Sequence, residues 1–184
     1  MFEAIVQHFT EENWSLVAIA LAFLIAIYGL LWSRVFGPGR QFYNPLAPRD
    51  FVANAENDAP PILAGRIKRA EAAMNNGLET LGFFAAAVVA ANLAGVELWT
   101  MNWYCYAYLT SRIIYTWVYI YGQEFNIIPS FTRTAIWFCG IYYILCLYLT
   151  AGVVLGDPLE ENATYWFSTA IKVKDYPVKD LLKG

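Results

Sequence analysis

Arg69, Glu79, Arg112 and Arg133 are charged residues set within or at the edge of long apolar stretches. A charge at membrane depth costs about 3 kcal/mol even on lenient scales, so such residues usually face a protein interior or a water-filled cavity. On a helix of 3.6 residues per turn, Arg69, Ala73, Asn76, Glu79 and Phe83 share one stripe. That stripe presents a cation, an amide and a carboxylate in order. A second stripe holds Cys105, Tyr108, Arg112, Tyr115 and Tyr119. Together they suit a small zwitterionic or anionic molecule. Arginines take carboxylates as bidentate pairs, Glu79 takes an ammonium or holds an arginine, and tyrosine hydroxyls complete the hydrogen bonding. Other readings stand beside this one. Lys68 and Arg69 as helix-end cations would snorkel and set topology, Glu79 and Arg112 would form a structural ion pair, and the tyrosines would belong to an interfacial belt. A proton pathway through Glu79 and Arg112 is the weakest of these readings.

The elements that must position these residues follow from composition. The 184-residue chain is 59% hydrophobic and 15% charged, with a net charge of −3. Soluble domains average about 25% charged, so this surface is not meant for water alone, and the apolar excess excludes a disordered chain. No basic block points to nucleic acid. Cys105, Cys139 and Cys146 form no CxxC pair, lie in apolar runs and read as small buried apolar residues. His8 is the only histidine, so no metal site or disulfide framework is expected. A bilayer crossing takes about 20 helical residues. The sequence predicts an all-α integral membrane four-helix bundle with spans at 14–34, 66–96, 98–121 and 133–156, together forming a membrane domain over 1–156. The first is no signal peptide, because its flank holds Glu3, Glu11 and Glu12 rather than cations.

Segment 35–65, rich in proline, reads as a mostly irregular loop. It and its flanks carry Arg34, Arg40, Arg49, Arg66, Lys68 and Arg69, which the positive-inside rule places in the cytoplasm. Both termini then lie on the non-cytoplasmic side, and the start of the second span, the end of the third and the start of the fourth share one depth. Residues 157–184 read as a polar tail, with a short surface helix over 165–172. Asn162-Ala-Thr164 matches a glycosylation sequon.

At these residues the chain resembles the MAPEG family, the membrane-associated proteins of eicosanoid and glutathione metabolism. One block is Arg69-Ala-Glu-Ala-Ala-Met-Asn-Asn-Gly-Leu-Glu79, similar to the family's signature at the start of its second helix. The other is Arg112-Ile-Ile-Tyr115-Thr-Trp-Val-Tyr119, followed by Pro129 and by Arg133 at the head of the fourth helix. Phe42-Tyr-Asn44-Pro45 is similar to the Asn-Pro of the family's first loop. The chain departs from the pattern at Gly82, where well-known members carry proline nearby, and in a longer segment between Tyr119 and Arg133.

The resemblance implies a homotrimer that binds glutathione as co-substrate near the cytoplasmic face. Arg69, Asn76, Glu79, Arg112, Tyr115 and Tyr119 would hold the peptide, and Arg133 would be catalytic by stabilising the thiolate. Arg34 would supply the extra arginine that some members use. The implied activity is that of a transferase or peroxidase acting on lipophilic electrophiles or lipid hydroperoxides that enter from membrane lipid. The alternative is a non-catalytic structural or accessory subunit of a larger membrane complex, binding lipid in the same pocket.

Overall fold

In the computed structural model, residues 11–122, 124 and 128–156 are described. Among them all regular structure is helical: α1 (Ser15–Leu30), α2 (Phe51–Asp58), α3 (Pro61–Ala94), α4 (Leu98–Trp117) and α5 (Ser130–Gly156). α1 packs on α3 and α4, and α5 packs on α3 and α4. One core joins the four long helices. It holds Ala18 and Ala22 of α1, Phe84, Ala87, Val88 and Ala91 of α3, Met101, Cys105 and Tyr108 of α4, and Ile144 and Leu147 of α5. At its centre Phe84 stacks on Tyr108 with ring centroids 4.0 Å apart.

Three helices are long and apolar enough to cross a membrane: Ser15–Phe36, Pro61–Ala94 and Phe131–Gly156. The expected third span, 98–121, is helical over Leu98–Trp117 but falls outside this set. The reason is compositional, since α4 carries Asn102, Ser111 and Arg112, all buried. Large apolar side chains such as Leu16, Leu24, Trp103, Ile113, Phe138 and Leu149 face outward, as lipid contact requires. α3 has 34 residues, about 51 Å of helix against ~30 Å of hydrocarbon. It is therefore about 20 Å longer than the hydrocarbon is thick.

The tails and loops differ from expectation in places. Segment 35–65 is not mostly irregular, because 3-10 turns at Pro38–Phe42 and Pro48–Asp50 lead into α2. The apolar face of α2, with Phe51 and Ala55 fully buried, packs on Ile67 and draws this loop against α3. α3 begins at Pro61, earlier than residue 66. A proline in the first turn fits, because its missing N–H would have no intrahelical partner there. At its other end Gly95 takes φ 74°, Val96 N–H donates to Ala91 O and Gly95 N–H to Asn92 O. This Schellman turn stops the helix and returns the chain at once into α4. The sequon and the proposed helix at 165–172 lie outside the described residues.

The start of α1 is held by a polar knot. Asn13 Oδ1 accepts from Ser15 N (3.1 Å) and Ser15 Oγ (2.6 Å), while Asn92 Nδ2 donates to Ser15 Oγ (2.8 Å). Asn102 Oδ1 accepts from Trp14 N at 3.2 Å. Farther along, small residues let α1 and α3 touch backbone to backbone. A Cβ on Gly29 would lie 2.4 Å from Ala70 O, and one on Gly77 would lie 2.8 Å from Ala26 Cβ. This is the small-residue seam that membrane helices use in place of a hydrophobic driving force.

Gly29→Val and Gly77→Val are expected to lower stability by about 1–3 kcal/mol each through overpacking. Gly82→Ala, mid-helix with nothing within 4 Å of the new Cβ, is expected to raise it by about 0.5–1 kcal/mol. Thermal unfolding of the detergent-purified variants measures both.

Candidate functional site

α4 places Tyr108, Arg112, Tyr115 and Tyr119 at successive i+3 or i+4 positions, the last inside a wider π-helical turn, Val118–Gly122. Arg112 is 3% exposed. Its guanidinium carbon lies 5.2 Å from the Tyr108 ring and 5.3 Å from the Tyr115 ring. Nη2 donates to Trp137 O at 3.1 Å, whereas Nε and Nη1 have no hydrogen-bond partner. The group lies directly over Gly140, where a Cβ would come within 2.0 Å of Nη2. Among the described residues no carboxylate pairs with it, so a Glu79–Arg112 ion pair is absent.

In front of Tyr115 an open groove of about 300 Å³ is lined by Asn76, Tyr115, Tyr119, Arg133, Thr134, Trp137 and Phe138. The Arg133 guanidinium sits 4.5 Å over the Tyr119 ring, and Tyr119 meets Tyr115 edge-on at 5.4 Å. Asn76 Nδ2 donates to Ala72 O at 2.9 Å. Arg133 is near the N-terminus of α5, where unpaired backbone N–H groups already make the potential positive. A cation there opposes the helix dipole. The same doubling of positive charge favours an anion in the groove.

The other candidates lie elsewhere. Glu79 is exposed, one turn beyond Asn76, and makes no hydrogen bond or ion pair among the described residues. Arg69 Nε donates to Ile120 O at 3.0 Å, and its Nη2 stands 3.8 Å from Glu124. Arg34 does not face the groove. It is a bidentate partner of Glu71 (2.9 and 2.6 Å), with Ser33 Oγ 3.3 Å from the same carboxylate. Its guanidinium lies against both the Tyr43 ring (5.5 Å) and the Phe51 ring (5.3 Å), which meet edge to face beside it. Arg34 therefore ties the 35–65 segment to α3 in this chain. Cys139 is exposed and Cys146 half-buried; Cys105 alone of the three is buried.

Sequence reasoning passed over three participants. Glu71 is 8% exposed and lies off the Arg69–Asn76–Glu79 stripe. Arg66 and Glu124 form a bidentate pair, one contact being Nη2 to Oε1 at 2.6 Å. Glu124 is the one charged residue between Arg112 and Arg133, the signal that could have found it. Its hydrogen bond from Arg66 holds the carboxyl below the usual glutamate range, with help from the charges of Arg66 and Arg69.

A model of the MAPEG family matches residues 14–153. No curated protein and no solved structure matches the chain.

Gly140→Ala is expected to push Arg112 off its seat and to lower stability by about 1–3 kcal/mol, read as a lower Tm. The Arg66–Glu124 pair has a pH signature. Because the folded carboxyl titrates lower than the unfolded one, its stabilisation is present above about pH 4.5 and lost as pH falls through the lowered value. The Tm gap between wild type and Glu124→Gln is therefore expected to be constant at neutral pH and to shrink in acid.

Proposed function

Because the chain belongs to the MAPEG family, we propose that this membrane protein is a glutathione-dependent transferase or peroxidase acting on lipophilic electrophiles or lipid hydroperoxides. The observation that carries the reading is the convergence of Asn76, Tyr115, Tyr119 and Arg133 on one groove from three helices. In this reading four helices cross the bilayer and three copies assemble. Both termini lie on the non-cytoplasmic side. The groove is completed between copies, where Glu79 receives the peptide's ammonium. The groove's donors suit a peptide that is both anionic and rich in amide groups.

Arg133 does the chemistry. A thiol near pKa 8.5 is a weak nucleophile until deprotonated, and a neighbouring cation lowers that pKa to as little as ~3.5–7.5. The guanidinium, backed by the α5 N-terminus, stabilises the thiolate and leaves its sulfur free to attack. Stacking on Tyr119 fixes the guanidinium where the negative charge forms, which is electrostatic preorganisation. Asn76, Tyr115 and Tyr119 hold the peptide so that the sulfur faces the apolar edge made by Trp137 and Phe138, a proximity contribution. Arg112 acts from behind, as the support on which Tyr115 rests. The bilayer delivers the second substrate from the side of the outward-facing apolar residues.

One observation favours the accessory-subunit reading. Arg34, Arg66 and Arg69 are engaged inside the chain by Glu71, Glu124 and the Ile120 carbonyl, so fewer cations are free for a ligand than the motifs imply. The two readings separate in one experiment. Glutathione added to the intact detergent-purified protein is expected to give the ultraviolet absorbance of a bound thiolate. Arg133→Ala is expected to abolish that absorbance and to lower turnover by about 10²-fold. A correctly assembled protein that binds glutathione without forming thiolate, or does not bind it, rules out the enzyme and leaves the accessory role.

A further inference from the structure

Glu124 is held in a way that ordinary loop carboxylates are not. Its side chain is 5% exposed, while those of its partners Arg66 and Arg69 are 33% and 23% exposed. The carboxylate is therefore buried more deeply than either of the arginine side chains that hold it. One negative charge serves two positive ones. Arg66 takes both oxygens, and Arg69 Nη2 stays 3.8 Å away, buried and without a hydrogen bond. The Arg66 guanidinium is further propped 5.8 Å over the Tyr121 ring, and Arg69 is anchored through Nε to the Ile120 carbonyl. Both cations are thus oriented by contacts that do not involve Glu124. The cluster is not part of the groove's lining; Arg69 lies two turns, about 10 Å, before Asn76 along α3.

We infer that Arg66 and Arg69 form an anion-binding subsite whose resident occupant is the Glu124 carboxylate, and that an anionic ligand binds there by displacing it. The displacement exchanges one bidentate carboxylate–arginine pair for another, so its net cost is small. A ligand with two or more acceptor oxygens gains the Arg69 donor that Glu124 leaves unused. Glu124 is then an intramolecular competitor, and apparent affinity is the intrinsic one reduced by the fraction of time the subsite stands open. Applied to glutathione, the inference rests on the reading of the groove given above, with a peptide carboxylate as the displacing group. Applied to a free oxyanion, it stands without that reading.

The test uses the detergent-purified full chain and two probes, inorganic phosphate and glutathione. Glu124→Gln is expected to lower Tm in phosphate-free buffer. Added phosphate is expected to restore it, as binding to the folded state must, while raising the wild-type Tm less. The double variant Arg69→Gln/Glu124→Gln is expected to show no rescue. Glutathione is expected to bind Glu124→Gln about tenfold more tightly than wild type, the factor expected if Glu124 occupies the subsite about nine-tenths of the time. Glutathione esterified at its glycine carboxylate is expected to show no such gain.

If phosphate rescues Tm but no variant binds glutathione, the subsite stands and the glutathione reading falls. If phosphate rescues neither protein, and glutathione binds both equally or neither, Glu124 is only a structural clasp and the inference is overturned. Should Glu124→Gln fail to fold, Glu124→Asp withdraws the carboxylate by one methylene and is judged by the same two titrations.

Discussion

The contact on which the rest depends is the seam between α1 and α3. Gly29 rests on the backbone of Ala70, and Gly77 rests on Ala26. Two helices this close leave space for nothing larger than alanine between them, and Ala18, Ala22 and Ala26 are buried accordingly. The consequences are polar as well as apolar. Ser33 and Arg34 follow Gly29 by one turn, and Glu71 follows Ala70 directly. The approach that seats glycine on alanine therefore also brings Arg34 within bidentate reach of Glu71. In surroundings where hydrophobic burial drives little, close packing and satisfied polar groups must do the work.

The arginines divide by what neutralises them. Arg34, Arg66 and Arg69 have glutamates or a carbonyl from another part of the chain. Arg112 has aromatic rings and one carbonyl, and Arg133 lies over the Tyr119 ring. Two of the first group meet their partners at π-helical segments. Leu31–Phe36 contains Ser33 and Arg34, and Val118–Gly122 supplies the Ile120 carbonyl to Arg69. A π turn shifts the backbone ladder by one residue, and such turns recur at functional sites. Here they turn helix ends into parts of ionic clusters, without a loop.

Helical periodicity made the α4 face legible, because Tyr108, Arg112, Tyr115 and Tyr119 recur at the spacing that keeps side chains on one side. The helical class and the junction near residue 97 were readable from long apolar runs broken by Glu97. What periodicity could not supply was the partner of each charge. Glu71 sits off the stripe that carries Arg69, and only the approach of α1 reveals whose partner it is. Position in sequence suggests that Arg34 reaches the groove, yet it is held by Glu71 and lies against Tyr43 and Phe51 instead. That loop looked irregular because of its prolines. Phe51, fully buried, shows that a short amphipathic helix needs only one good apolar anchor. The depth of Arg112 was equally hidden, since nothing in its own neighbourhood of sequence announces Gly140, 28 positions later.

Gly140 and Arg112 share one volume. Any side chain at 140 must take space that the guanidinium fills, and any shorter side chain at 112 leaves a void above a bare backbone. Neither position can change freely unless the other changes with it. The two sites form a single unit of variation, so substitutions at both are not the sum of substitutions at each. In related chains, a residue larger than glycine at the position equivalent to 140 should accompany the loss of arginine at the position equivalent to 112. That makes one glycine a marker, readable in sequence alone, of whether the buried cation has been kept.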